Sequence, residues 1–248
     1  MQMLTPLNSV DLGTEIPFAQ LPHAIRGEYF DESDDYVQKD DALIYAEGFD
    51  EETATRIEAL NYQGFTDKTK LEARITLDMR QLYLRQVRYH RRVSQEGFLC
   101  PRGTLVGLTD EVLTQHQRYA LITEVLIEGG NIVGFMLDSL VDLSAGRHDP
   151  FAVDEPFAGD PNVDNPIGIM IRKNNAQAVT HEVIEKNETN RVTLSTPVAY
   201  AGQYEKGQLA VLGVLGKETR RCKVFSVDPG DDDTFDLTLV DEAPEIHA

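Results

Sequence analysis

Arg102-Gly103-Thr104-Leu105-Val106-Gly107-Leu108 returns later in the chain as Lys206-Gly207-Gln208-Leu209-Ala210-Val211-Leu212. In both, a basic residue and a glycine feed a short apolar strand. Each phrase is followed by an apolar run, a turn and an alternating strand. In the first copy the turn is Gly129-Gly130-Asn131, and the strand places Val133, Phe135 and Leu137 on one face before closing on Asp138. In the second copy the turn is Asp228-Pro229-Gly230-Asp231, and Phe235, Leu237 and Leu239 alternate toward Asp241. Apolar residues at period two, bounded by Gly, Pro, Asn and Asp, mark antiparallel hairpins with one buried face. The pattern predicts an α+β chain that is mostly β. It comprises two small antiparallel β-barrel or split-barrel units and one long amphipathic helix.

The helix is read from Thr69 onward. Thr69 and Glu72 have capping-box spacing, and Leu71, Ile75, Met79, Leu82 and Gln86 then follow at three- and four-residue steps. Before it, His23 to Phe30 and Tyr36 to Ala46 have strand patterns joined by the acidic loop Asp31-Glu32-Ser33-Asp34-Asp35. After it, Arg91 to Leu99 returns to extended structure. The expected division is an extended N-terminal arm over 1–20, an α+β unit over 21–100, and antiparallel barrel units over 101–248. A linker rich in Pro, Asp, Gly and Asn interrupts the last of these at 144–166. Beyond the linker Ile167, Ile169 and Ile171 alternate into a turn at Asn174-Asn175. Val179, His181 and Val183 then share a face, and Val192 and Leu194 add a third strand.

Composition narrows the function. The chain has 248 residues, enough for two modest cores, and a formal net charge of −19. That charge repels nucleic acid and anionic lipid alike, so neither is an expected partner. No apolar stretch approaches the roughly 20 residues of a membrane helix, and no membrane insertion is expected. Cys100 and Cys222 lie far apart, each beside an apolar strand, which favours reduced, half-buried thiols over a disulfide.

One region runs against the overall charge. Lys68, Lys70, Arg74, Arg80, Arg85, Arg88, Arg91, Arg92 and Arg102 face only Asp67, Glu72, Asp78 and Glu96 within residues 67–102. Either these cations line a solvated face and pair with the chain's own carboxylates, or they form a docking face for an acidic neighbour, another copy included.

Signals for chemistry are weak. His23, His90, His116, His148, His181 and His247 are scattered without zinc spacing. His181 falls on the apolar side of its strand and reads as a satisfied core or interface histidine. Asp160-Pro161-Asn162-Val163-Asp164-Asn165 opens like a calcium loop, but the sixth position is not Gly and the twelfth is Ile171 rather than Glu. Asp228 to Asp233 fails the same test and reads as a hairpin turn. Ser94, Ser139 and Ser195 lack a nucleophile elbow, and no tryptophan is present to stack a sugar. No catalytic, cofactor-binding or metal residue is assigned, no cofactor is expected, and the chain reads as a non-enzyme.

Two passages carry a family resemblance. Gly64-Phe65-Thr66-Asp67, a basic helix and then Leu99-Cys100-Pro101-Arg102-Gly103-Thr104-Leu105-Val106 form the first. Gly207-Gln208-Leu209, Phe225-Ser226-Val227-Asp228-Pro229-Gly230 and Leu237-Thr238-Leu239-Val240-Asp241-Glu242-Ala243-Pro244-Glu245-Ile246 form the second. Together, over roughly residues 20 to 248, they resemble the tail-tip and baseplate hub proteins of tailed phages, the family related to the lambda-type host-specificity protein J. The acidic excursion from Asp149 to Asn165 departs from that pattern, and the chain is shorter than a whole tail-tip protein. The resemblance implies a structural protein of a phage or prophage tail, made in the bacterial cytoplasm and resident in the virion tail. It would assemble with itself as a threefold ring, and with other tail proteins, at the distal end of the tail tube, supporting host attachment. The alternatives weighed are a receptor- or glycan-binding module of the tail tip and a tail-associated cell-wall hydrolase.

Overall fold

A computed structural model describes residues 1–110, 112–113, 117–144, 165–174 and 177–247. The structure is mostly β, with one α-helix among the described residues, a closed six-stranded barrel and an open six-stranded sheet. The chain divides into two compact units. One comprises Met1–Gly13 with His90–Leu239, the other Thr14–Tyr89 with Val240–Ala248. This differs from the expected cuts at residues 20 and 100.

The first unit contains both twin phrases, and their strands exchange partners. From the first copy come β7 (Leu105–Leu108) and the hairpin β8 (Arg118–Glu128) and β9 (Asn131–Asp142). From the second come β13 (Leu209–Val214) and the hairpin β14 (Arg220–Pro229) and β15 (Phe235–Asp241). Strand β7 pairs with β14, and β13 pairs with β8, each antiparallel. So the opening strand of each copy lies in one sheet and its hairpin in the other.

The exchange repeats bond for bond. Gly103 N–H donates to Val224 O at 2.8 Å and Val224 N–H to Thr104 O at 3.0 Å. Gly207 N–H donates to Ile122 O at 2.7 Å and Ile122 N–H to Gln208 O at 2.9 Å. Gly103 and Gly207 stand at φ +86° and +88°, a left-handed conformation that costs an L side chain about 1–2 kcal/mol. That requirement explains why a glycine precedes both strands.

The barrel closes with β10 (Ile167–Arg172), β11 (Ala178–Val183) and β12 (Glu188–Ala199), in the order β10-β11-β12-β9-β8-β13. Its interior is filled by side chains, among them Ile122, Ile132, Phe135, Leu137, Ile169, Ile171, Val192 and Leu212. Tyr204 meets the Phe135 ring edge-on, with centroids 5.5 Å apart. Of the face expected on β9, Phe135 and Leu137 are buried, whereas Val133 is only half-buried and Ile132 takes its place inside. The cause is a bulge: Leu126 pairs with Gly134 and Ile127 with Ile132, leaving Val133 as the extra residue. Pro197 sits in a second irregular stretch, between Thr193 and Val198 of β12, where its missing N–H breaks no ladder bond.

The open sheet runs β1-β7-β14-β15-β6-β2. Its outer strands are β1 (Gln2–Leu4) and β2 (Ser9–Glu15), and β6 (Arg88–Val93) lies beside β2. Residues 1–20 are therefore more than an arm. Met3, Leu4 and Thr5 are buried, and Gln2, Met3 and Leu4 pair in parallel with Val106, Gly107 and Leu108. A three-residue strand is too short to show periodicity in the sequence.

In the second unit the hairpin β3 (Ala24–Asp31) and β4 (Val37–Tyr45) forms as expected, and β5 (Ile57–Asn61) adds to it in parallel. The helix α1 (Lys68–Leu84) packs Leu71, Ile75 and Met79 against Ile25, Tyr29 and Ala42. Its cap is Asp67, not Thr69. The Asp67 carboxylate accepts from Thr69 N at 2.8 Å and Lys70 N at 3.3 Å, so the helix begins earlier than the capping-box spacing suggests. The helix ends before Gln86, the polar last member of the stripe. Arg91 to Leu99 is extended only at its start; a 3-10 turn occupies Gln95–Leu99.

Candidate functional site

The basic stretch over 67–102 carries nine cations against four acids. Lys68 pairs with Asp41 at 2.8 Å, Lys70 with Asp67 at 3.7 Å and Arg74 with Asp78 at 3.0 Å. Arg80 donates to the carbonyl of Ile246, and Arg85 to those of Asp241 and Glu242 at 2.9 Å. Arg92 bridges Asp236 and Asp11, and the Arg102 guanidinium lies 5.6 Å from the Phe225 ring. Lys68, Lys70, Arg74 and Arg92 thus pair with the chain's own carboxylates, as the first of the two readings has it, whereas Arg80 and Arg85 hold main-chain carbonyls and Arg102 lies by a ring.

Arg91 is the special case. It is 3% exposed and donates to Asp110, whose second oxygen accepts from Val112 N at 2.9 Å. Thr109, Gln117, Glu218 and Thr219 are buried as well, at the points where the chain leaves β7, enters β8 and approaches β14. Gln117 donates to Lys217 O at 3.0 Å, Thr109 to Glu218 O at 3.4 Å, and Gly216 N to Glu218 Oε1 at 2.8 Å. These bonds latch the crossover between the two sheets. A buried ion pair adds little net stability but is costly to break, which makes it suited to fixing one connectivity.

A groove of about 450 Å3 lies in the first unit, where the barrel meets the open sheet. Its floor is Met3, Leu121 and Leu209. One wall is a chain of bonds: Gln2 Nε2 donates to Glu96 at 2.7 Å, Asn8 Nδ2 to the same oxygen at 2.8 Å, and Arg172 to Gln2 Oε1. The other wall is Asn174, which donates to Glu205 at 2.8 Å and accepts from Gln208. The amides are thus already committed, Gln2 and Asn8 to Glu96, Asn174 to Glu205 and Gln208 to Asn174. What remains available is the rest of the Arg172 fork and the Lys173 ammonium, which has no bond among the described residues. Composition gives no hint of this groove, because residues 2, 8, 96, 172 and 208 come from separate segments that only the fold brings together.

The histidines stay apart. His23 stacks on Phe49 at 4.0 Å, and His90 lies 3.3 Å from the Thr238 hydroxyl. The His181 Nε2 and Tyr204 hydroxyl are 2.7 Å apart, as expected of a satisfied core histidine. Burial, with Lys173 nearby, holds the His181 imidazolium below its ordinary range, and burial pushes the Tyr204 phenol up to about 12. His116, His148 and the calcium-like residues Asp160 to Asp164 lie outside the described residues, as does most of the 144–166 linker. Among the described residues no three of His, Cys, Asp and Glu gather to hold a metal, and no helix is long and apolar enough to cross a membrane. Cys100 and Cys222 are free thiols and fully buried; burial first, then Glu96, raises the Cys100 thiol above its usual range.

No known family model matches this chain, and no curated protein is similar to it.

Proposed function

We propose that this chain is a structural subunit of a phage or prophage tail tip, a baseplate-hub protein that assembles as a threefold ring at the distal end of the tail tube and helps support host attachment. On this reading it resides in the virion tail, having been assembled in the bacterial cytoplasm, and it performs no reaction. The observation that carries the proposal is the filled barrel locked to a neighbouring sheet by exchanged strands. Burial of Phe135, Ile122 and Tyr204 in its centre leaves a rigid wall rather than a reaction chamber. The groove's amides are engaged within the chain, and its described lining contains no aromatic ring, which favours scaffolding over glycan binding.

The sheet's own edges are blunted. Strand β1 has three residues, and β2 contains Asp11 at φ +56°. Short and irregular edges resist strand addition, so ring contacts fall to loops and grooves. Native mass spectrometry of the purified chain tests the proposal. A trimer, or a monomer that joins rings when mixed with tail-tube protein, is the expected result. A chain that stays monomeric with and without tail-tube protein, or one that clears a cell-wall zymogram, overturns it.

A further inference from the structure

We infer that the groove at Arg172 and Lys173 receives carboxylates from the Asp228–Asp233 hairpin tip of a second copy of this chain, an inference that rests on the ring reading above. The chain carries 42 acidic and 23 basic residues, so carboxylates outnumber cations. In the first unit Arg91, Arg92 and Arg118 all face carboxylates. Arg172 instead contacts a neutral amide, and Lys173 beside it faces none. Both line the groove beside Glu96, which already accepts from Gln2 and Asn8, and the remaining donors of Arg172 and Lys173 are its cationic capacity. An Arg fork beside an ammonium fits carboxylates, since charge-assisted bonds of this kind are short and orienting.

The tip supplies the complement. Asp228, Asp231, Asp232 and Asp233 are exposed at the turn between β14 and β15. The turn is held by Gly230 N to Thr234 O at 2.9 Å and by the Thr234 hydroxyl to Asp231 O at 2.6 Å. Asp232 and Asp233 both stand at φ +56°, and neither has an ion pair among the described residues. Groove and tip share no residue, so the contact is head-to-tail. Contacts of that type generate rings when the rotation closes.

Charge reversal tests this on the full chain by native mass spectrometry, with circular dichroism confirming the fold. Lys173→Glu alters a half-buried lysine, whereas Arg172→Glu also removes the bond to Gln2, so Lys173→Glu is the primary variant. It is expected to weaken association about tenfold or more. The double variant Asp232→Lys/Asp233→Lys should do the same, and all three substitutions in one chain should restore assembly. Added salt should weaken the wild-type oligomer. A wild-type oligomer that ignores both reversals overturns this inference alone. If only the groove reversal acts, the tip is not the occupant, which also overturns it. A wild-type chain that never associates, alone or with tail-tube protein, overturns the ring reading first.

Discussion

The closed barrel and the open sheet of the first unit are built from the same two phrases, yet one has no edges and the other has two. The difference lies in what each recruits. The barrel takes β10, β11 and β12, which return the chain to β13 and close the ladder. The sheet takes β1, β6 and β2, which end it with a three-residue strand and an irregular one. Closure rests on a tight apolar interior, whereas the open sheet buries Leu4, Val106, Leu108, Val224, Leu237 and Leu239 and adds the polar latch around Arg91 and Asp110. Equal numbers of strands thus reach stability by different means.

The largest expected effects come from removing each support. Phe135→Ala empties the barrel centre and should cost about 3–5 kcal/mol in urea unfolding. Asp110→Ala strands a buried guanidinium in the open sheet and should cost about 3–5 kcal/mol as well. If Asp110→Ala proved nearly neutral, the polar latch would not be what holds the open sheet.

The barrel also tolerates less at its seams. A Cβ on Gly134 would lie 2.3 Å from the Val192 carbonyl oxygen, part of a neighbouring strand's backbone that cannot swing aside. On Gly107 of the sheet it would meet Thr219 Oγ1, Cβ and Cγ2 at 2.9–3.1 Å, a longer approach than at Gly134 and to a side chain rather than to backbone. Gly134→Ala should therefore destabilise by about 1–3 kcal/mol, and Gly107→Ala by clearly less. Equal losses in chemical denaturation would mean that the two sheets are equally rigid.

Much of this contrast was legible in the sequence, and the illegible part has a physical cause. The twin glycines, the alternation on β10 and β15 and the apolar stripe of α1 are local patterns, and each forms the element its period dictates. Strand exchange is not local. Nothing in Leu105 to Leu108 says that its partner is Arg220 to Lys223, because pairing depends on which apolar face is left uncovered. Val133 was misplaced for the same reason, since a bulge depends on the opposing strand. The groove lay beyond reach altogether: Gln2, Glu96 and Arg172 meet only once both sheets have formed. Charge counting found the basic helix and offered pairing with the chain's own carboxylates as one of two readings, but only the packed neighbours decide between them.

The two glycine turns allow a finer comparison. Gly103→Ala and Gly207→Ala each force a side chain into the left-handed region, with open space around the new Cβ, so each should cost about 1–2 kcal/mol. The losses should match, although one turn feeds the sheet and the other the barrel. A marked inequality in thermal unfolding would show that the exchange is symmetric in geometry but not in energy.

The smallest effect concerns pH and singles out the barrel. His181 is half-buried, and its folded-state pKa lies below the ordinary value of about 6.5 because burial, then Lys173, disfavours the imidazolium. Below that value the unfolded chain binds a proton more readily than the folded one, so stability is present above about pH 6.5 and declines as the pH falls through it. His181→Gln keeps an amide near the Tyr204 hydroxyl while removing the titration, and should flatten that decline. The open sheet contains His90 but no counterpart of this buried pair. If the wild type and His181→Gln lose stability in parallel between neutral and mildly acidic pH, the decline comes from other groups and the barrel has no acid sensitivity of its own.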